Sequence, residues 1–223
     1  MTTTTKKRPI LFSGLMVRAI LDGKKTQTRR PIKPQPVWKE AQGMMSAGWS
    51  WELSPRGKFK CQLNAWKENE IGNQMVKYSP FGPPGTLLWV RETWAIHCCA
   101  EKRKYAPGEK HPWGSPIYKA THMGIDPKCE GFAPWIPSIH MPRWASRITL
   151  RVKRVWVERV QDISEEDARA EGMIPLGPVG NVPVALDMGV CRYQFANLWE
   201  DTYSGSWDAN EWVWACEFER VTP

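Results

Sequence analysis

A change of parity in the segment ITLRVKRVWV most constrains how this chain can fold. Apolar residues alternate with polar ones from 148 to 152, as in a β-strand that buries one face. The alternation resumes at Val155 and Val157, after Lys153 and Arg154, with one extra residue in the count. An extra residue indicates a β-bulge or a sharp bend. Tightly curved sheets in small barrels need such a feature.

Neighbouring segments predict further strands and a few short helices. PILFSG and NEWVWACEFERV are typical of strands, whereas LMVRAILDG predicts a helix with Ser13 as N-cap and Gly23 as the residue after its end. ISEEDARAEGM predicts a second helix from the N-cap Ser164 to Gly172. Strands outnumber helices, so the expected fold class is α+β, a small mixed or antiparallel β-barrel with short flanking helices.

The length of 223 residues suits one domain spanning 1–223. Two stretches rich in Pro and Gly, at about 33–84 and 97–141, show few periodic apolar positions. We expect both to be long irregular insertions into that domain, apart from a short strand in PIYKA. Loops of this length are usually functional or form small subdomains.

Positive charge is concentrated at the start of the chain. Residues 1–33 hold nine Lys and Arg against one acid, Asp22, and so supply the whole formal charge of +8. Such a concentration attracts polyanions or phosphorylated small molecules.

The composition also bears on compartment and cofactors. The N-terminus MTTTTKKRP lacks the apolar region of a signal peptide, and no apolar run reaches the length of a membrane span. We therefore expect a cytoplasmic protein with reduced thiols and no membrane partner. The Cys and His spacings fit no zinc pattern, so neither a metal nor another cofactor is expected.

Three motifs resemble the ASCH domains, which belong to the PUA-like β-barrel superfamily. ILDGKKTQTRR is similar to the early signature of these domains, in which a helix ends in Gly and a Lys-Thr-x-Thr-x-Arg-like run follows. GPPGTLLWVRETW resembles a later strand motif, with Thr86 in place of the usual acid, and ISEEDARAEGM resembles the late helix that carries a glutamate. A longer pattern, which also includes MVRAIL, WVRETW, SIHMPRWASRITL and VQDISEEDARAEG, is similar to ASCH proteins of phages and prophages. For a phage-encoded protein the compartment would be the host cytoplasm.

The resemblance implies an activity. Some small bacterial ASCH proteins are amidohydrolases that deacylate N4-acetylcytidine and related N4-acylated cytosine nucleosides. Carried over to this sequence, the catalytic residues are Lys25 as base, Thr28 as nucleophile and Glu171 as proton donor. The substrate would then be a modified cytosine nucleoside or nucleotide. Other members bind RNA or modified bases, and ribonuclease activity is known for some.

The residue types are compatible with these roles. Neighbouring cations disfavour the ammonium form of Lys25 and lower its pKa toward that of a useful base. A helix C-terminus disfavours the carboxylate of Glu171, which suits a proton donor. Thr28 needs an adjacent base to become a nucleophile. Because positions 25 and 28 point to opposite faces of a straight strand, the chain must bend for the two side chains to meet.

Further cationic and aromatic residues are candidates for holding the substrate or its phosphate. Forked arginine donors suit a phosphate or a carbonyl oxygen, a neighbouring Arg–Glu couple can form an ion pair near the pocket, and the motif SIHMPRW can stack on a base or contact a backbone. These candidates are Arg29, Arg30, Arg91, Glu92, His140, Arg143 and Trp144. The alternative function is a module that binds RNA, single-stranded nucleic acid or a modified base, or a ribonuclease, through the same basic cavity. The oligomeric state stays open.

Overall fold

The structure is a computed structural model of the whole chain. It describes residues 7–35, 44–53, 59–67, 70–96, 116–122, 134–174 and 189–221, and of these it describes the backbone alone in 44–53, 59–67 and 70–77.

The described elements are ten strands and three α-helices. In chain order they are β1 (Lys7–Leu11), α1 (Gly14–Leu21), β2 (Gln27–Pro31), β3 (Met44–Leu53), β4 (Phe59–Lys67), β5 (Glu70–Tyr78), β6 (Leu87–Arg91), β7 (Trp94–Ile96), β8 (Pro116–Tyr118), β9 (Thr149–Arg159), α2 (Glu165–Ala170), α3 (Val190–Thr202) and β10 (Trp212–Val221). Short 3-10 turns occur at Ser138–His140, Arg143–Ala145 and Val160–Asp162.

The main sheet has five strands in the order β1-β6-β9-β10-β2. Strands β1 and β6 run parallel, and the other three pairs are antiparallel. The prediction of an α+β fold with a mostly antiparallel sheet and few helices is confirmed. In the described part of the chain no ladder joins β1 to β2, so the sheet is open and a closed barrel is not found.

The extra residue predicted between the two alternating runs is a bulge within the single strand β9. Opposite it, Glu217 of β10 pairs with Arg154 and Phe218 pairs with Val152, so Lys153 has no partner in the ladder. The bulge returns the apolar residues after it to the buried face. Val155 and Val152 accordingly belong to the same core cluster.

Both short helices begin at the predicted caps. Ser13 accepts a hydrogen bond from the Met16 amide at 3.5 Å, and Ser164 accepts one from the Asp167 amide at 3.0 Å. These side chains satisfy amide groups that have no partner within the first helical turn.

Strand β10 separates two apolar clusters. Trp214 and Cys216 belong to the larger cluster, which also holds Ile20 of α1, and Val213 belongs to the cluster formed with α2 and α3, which holds Phe195. Because successive strand residues point to opposite faces, the sheet is covered on both sides, and a polar side chain entering it from β2 is buried.

The expectation that 33–84 is irregular is wrong. Strands β3, β4 and β5 form a three-stranded antiparallel sheet within this stretch. The alternation in FKCQLNAWK carries the signal for a strand, but the surrounding Pro and Gly residues obscured it. In the second stretch β8 confirms the short strand in PIYKA and pairs with β7. Residues 97–115 and 123–133 of that stretch lie outside the described residues.

In the described ranges, none of the helices combines the length and the apolar character that crossing a bilayer requires.

The junction after α2 gives a first prediction. Gly172 has φ of +98°, and a Cβ added there would lie 3.0 Å from Ala19 Cβ and 3.3 Å from Lys25 Cβ. Gly85 has a similar φ of +86° with no atom within 4 Å of an added Cβ. Both alanine variants bear backbone strain of about 1–2 kcal/mol, but only Gly172→Ala also clashes. We expect it to lower the free energy of unfolding by at least about 1 kcal/mol more than Gly85→Ala, measured in urea. Equal losses would contradict this packing.

Candidate functional site

The chain turns where α1 ends, and this turn positions Lys25. Gly23 adopts φ of 72°, a left-handed conformation that suits glycine. The Lys25 amide then donates to the Ala19 carbonyl at 3.0 Å. Lys25 therefore precedes β2, which begins at Gln27, and strand alternation does not set its direction relative to Thr28. A turn thus follows α1 directly, but it brings Lys25 to Glu171, while the Thr28 hydroxyl bonds to Arg30.

The next residue connects this turn to two distant elements. The Thr26 amide donates to the Ala170 carbonyl at 2.8 Å, and the Thr26 carbonyl accepts from the Phe218 amide at 2.8 Å. The first bond holds the end of α2 against the start of β2, and the second attaches the same residue to β10. Glu171, which follows Ala170, is thereby brought to Lys25.

Lys25 and Glu171 form a buried pair. Lys25 Nζ lies 2.5 Å from Glu171 Oε2 and also donates to the Glu171 carbonyl oxygen at 2.7 Å. Their side chains are 0% and 4% exposed. Two of the three predicted catalytic residues, 146 positions apart in the chain, therefore meet away from solvent.

Burial lowers the pKa of Lys25, because desolvation disfavours the ammonium form. The Glu171 carboxylate acts in the opposite direction, and the nearby Arg30 and Arg29 add smaller lowering contributions. The lowered pKa agrees with the expectation from the sequence. Its main cause is burial rather than the neighbouring cations.

Arg29 is held by three carboxylates. Its Nε lies 2.6 Å from Glu158 Oε1, its Nη1 lies 3.3 Å from Glu171 Oε1, and its Nη2 lies 3.5 Å from Asp167 Oδ2. The Arg29 side chain is 0% exposed, and its Cζ lies 5.9 Å from the centroid of the Trp156 ring. These contacts make Arg29 a positioning residue for Glu171 rather than a free donor for a phosphate.

Thr28 is fully buried in β2 and contacts a different partner. Its Oγ1 accepts a hydrogen bond from Arg30 Nη1 at 3.3 Å. Among the described residues this hydroxyl bonds to Arg30 and to neither Lys25 nor Glu171. Lys25 Nζ and Arg30 Cζ both lie over the Phe12 ring, at 5.5 and 5.6 Å from its centroid. The Phe12 ring thus lies against both Lys25, which contacts Glu171, and Arg30, which contacts Thr28.

A cysteine also lies next to Thr28 in the sheet, since Cys216 is its register partner on β10. Burial raises the pKa of the Cys216 thiol. A thiol that stays protonated is a poor nucleophile. Cys216 is therefore not an activated thiol.

Two cavities reach Glu171. The larger, of about 490 Å³, has a mainly apolar wall that includes Met16, Met173, Ile174 and Leu198. The smaller, of about 30 Å³, is bounded by Arg29, Arg30 and Glu171 together with aromatic residues of α3. Of the three predicted catalytic residues, Glu171 lines both cavities, and Lys25 and Thr28 line neither of them.

The remaining candidates for binding the substrate lie in different parts of the structure. Arg30 and Arg91 line a common cleft of about 440 Å³. Glu92 pairs with Arg147 through two contacts of 2.9 Å, so the expected pair with Arg91 does not form. Neighbouring strand residues point to opposite faces, which separates Glu92 from Arg91.

The motif SIHMPRW forms an exposed corner instead of a wall of the cavities beside Glu171. His140 and Arg143 are exposed, and Trp144 is 56% exposed. The Trp144 ring meets Trp94 edge-on, with centroids 5.5 Å apart. Arg143 Cζ lies 5.9 Å from the centroid of the Trp89 ring.

Sequence reasoning missed two acids of the site. Asp167 lies in the first turn of α2, and Glu158 follows the alternating run of β9. Both contact Arg29. Glu158 pairs with Val213 on β10 and could be assigned to Arg29 only once the order β9-β10-β2 is known.

Within the described residues, no group of three or more His, Cys, Asp or Glu side chains is arranged to hold a metal ion.

The buried pair gives a second prediction. Glu171→Leu leaves the Lys25 ammonium buried without its partner, which should destabilise the fold by roughly 3–5 kcal/mol. Adding Lys25→Met should restore part of the loss, because no unpaired lysine then remains buried. A double-mutant cycle from urea unfolding measures the coupling between the two residues.

The matched control is the surface pair of Lys153 and Glu217, which are 2.7 Å apart and 50% and 31% exposed. Solvent screens this pair, so the cycle of Lys153→Met and Glu217→Leu should give a coupling several times smaller. A buried coupling no larger than the surface one would contradict the site.

No protein-family model, curated protein or solved structure matches this chain. The similarity to ASCH domains therefore stays a prediction from the sequence motifs.

Proposed function

We propose that this protein is an amidohydrolase that deacylates N4-acylated cytosine nucleosides or related modified bases without a metal. The observation that carries the proposal is the 2.5 Å contact between Lys25 Nζ and Glu171 Oε2 in a buried setting. This contact unites the base and the acid that the resemblance assigns to such a reaction.

In the proposed reaction, Lys25 takes the proton of the Thr28 hydroxyl, and Thr28 Oγ1 attacks the carbonyl carbon of the substrate amide. The C–N bond then breaks as Glu171 gives its proton to the leaving amine. Water attacks the resulting threonine ester, its proton passes to the Thr28 oxygen, and the acyl group leaves as a carboxylic acid. The proton held by Lys25 then passes to Glu171, with which it is in contact, and both residues return to their starting state. These steps use a nucleophile activated by an adjacent base.

The environment favours the free amine of Lys25, because burial lowers the pKa of this side chain. The proposal uses this amine as the base and the Glu171 side chain as the proton donor. Arg30 donates to Thr28 Oγ1, which would stabilise the developing negative charge on this oxygen.

The lining of the larger cavity favours a substrate with an apolar acyl group. Its apolar wall beside Glu171 suits a hydrocarbon chain or a ring. Lys25 and Thr28 lie behind Glu171 as seen from this cavity, because neither lines it. The proposal therefore requires the Glu171 side chain to move away from Lys25 when the substrate enters.

We extend the proposal to a PUA-like barrel. The sheet order places β1 and β2 at opposite edges, yet Arg30 Nη2 of β2 donates to the Leu11 carbonyl of β1 at 2.9 Å. A side chain thus connects two edges that would be far apart in a flat five-stranded sheet. Strong curvature supports a barrel-like framework with an open seam.

A second candidate is binding of RNA or single-stranded nucleic acid. The observation that favours it is the exposed corner holding His140, Arg143 and Trp144. An aromatic ring next to cations is a common way to stack a base and hold its backbone.

The first test of the amidohydrolase is turnover of N4-acetylcytidine and of longer N4-acyl cytidines. Thr28→Ala should lose at least about a hundredfold in kcat/KM, since the nucleophile is gone, whereas Thr28→Ser should retain measurable activity. Thr86→Ala is a matched control, because Thr86 is also buried and lies outside the proposed chemistry.

Full activity in Thr28→Ala would overturn the proposed nucleophile. A wild-type protein that does not hydrolyse these substrates but binds RNA with strong salt dependence would favour the second candidate.

The pH dependence gives a further prediction. Only the free amine of Lys25 can accept the Thr28 proton, so kcat/KM should rise with pH as the ammonium form is lost. Because burial lowers this pKa, the midpoint of the rise should lie below the ordinary lysine value of 10.5. A pH–rate profile with no rise below that value would contradict the role of Lys25.

A further inference from the structure

A cleft of about 440 Å³ lies between the two edge strands of the open sheet. One wall comes from β1 through Ile10 and Leu11, and the facing wall comes from β2 through Arg30 and Pro31. The cleft holds none of Lys25, Thr28 and Glu171, but its Arg30 also donates to Thr28 Oγ1, so the cleft adjoins the proposed catalytic centre.

The cleft is positively charged. Its lining includes Arg30, Lys33 and Arg91 and contains no Asp or Glu. In the part of the chain that the structure describes, none of these three cations has a carboxylate at ion-pair distance. The buried Arg91 Nε also has no hydrogen-bond partner there. Arg29 and Arg147 differ in having acids at ion-pair distance, although Arg29 Nη2 also has no hydrogen-bond partner among the described residues.

Arg30 and Arg91 are nevertheless held in place, and the exposed Lys33 lies near an aromatic ring. Arg91 Cζ lies 4.7 Å from the centroid of the Trp89 ring, and Lys33 Nζ lies 5.9 Å from that of Tyr203. Arg30 donates to the carbonyl oxygens of Leu11 and Arg29, each at 2.9 Å. Cations that are already ordered lose less entropy when they bind an anion.

The rest of the lining is apolar and partly aromatic. It includes Pro9, Phe81, Leu88 and Tyr203. Flat apolar walls suit a planar ring, and the volume falls in the range of small-ligand pockets. A ligand that matches both parts carries a ring and a negatively charged group.

We propose that this cleft binds a nucleoside monophosphate, with the phosphate on Arg91, Lys33 and Arg30 and the base against the apolar wall. Arginine side chains hold phosphate oxygens through paired donors, and lysine adds a point charge. The site goes beyond the proposed function because binding there requires no hydrolysis.

The test is calorimetric titration of the full chain with cytidine 5′-monophosphate, cytidine and inorganic phosphate. We expect the monophosphate to bind at least about tenfold more tightly than cytidine, because charge-assisted hydrogen bonds contribute that much. It should also bind more tightly than inorganic phosphate, since the base adds apolar contact. Equal affinity for cytidine and its monophosphate would overturn the proposal.

Two variants and one control locate the site. Arg91→Gln and Lys33→Gln should each weaken binding of the monophosphate by about tenfold. Arg151→Gln removes the same charge from an exposed side chain that is paired with Glu219 at 2.9 Å, and it should leave the affinity within about twofold. Equal losses in all three variants would show a non-specific charge effect and overturn the site.

An oligonucleotide without a terminal phosphate distinguishes a phosphodiester strand from a phosphomonoester. If it binds more tightly than the monophosphate and loses affinity in Arg91→Gln, the cleft takes a strand, and the monophosphate proposal is wrong. Because this titration involves no turnover, its outcome is independent of the amidohydrolase test.

Discussion

The arrangement of the candidate site depends on the contact between Lys25 and Glu171, which are buried together away from water. Removing both charges from solvent is unfavourable, and only close geometry with further hydrogen bonds offsets it. Lys25 meets that condition by donating to both the carboxylate and the carbonyl of Glu171. Arg29 holds the other carboxylate oxygen. The pair thereby joins the exit of α1 to the end of α2, on either side of the edge strand β2.

The same constraint shapes the proposed chemistry. A dry pair lowers the pKa of its lysine, which is what a base acting near neutral pH requires. It also closes the site, since the side chains of Lys25 and Thr28 are buried. Substrate must therefore enter through the cavity on the Glu171 side and separate the pair. An interaction that stabilises the fold is, in this proposal, one that must open for each turnover.

Local features could be predicted from the sequence because they depend on neighbouring residues. The caps at Ser13 and Ser164 and the bulge at Lys153 follow from short-range hydrogen bonding and alternation. The partners of Arg29 and Glu92 could not be predicted, because they depend on strand order across distant segments. The resemblance brought Lys25, Thr28 and Glu171 into one hypothesis. The structure joins Lys25 to Glu171, whereas the Thr28 hydroxyl bonds to Arg30. The strands within 33–84 were not predicted, because the many Pro and Gly residues of this stretch favour loops and outweighed the alternation in FKCQLNAWK.

The most direct measurement of the central claim is a titration of the Lys25 side-chain nitrogen by heteronuclear NMR, assigned with Lys25→Met. Because burial lowers its pKa, we expect this amine to lose its proton below the ordinary value of 10.5. A Lys25 amine that titrates at or above that value would show that the ammonium form is favoured in the fold. That result would contradict both the buried setting of the pair and its proposed role as a base.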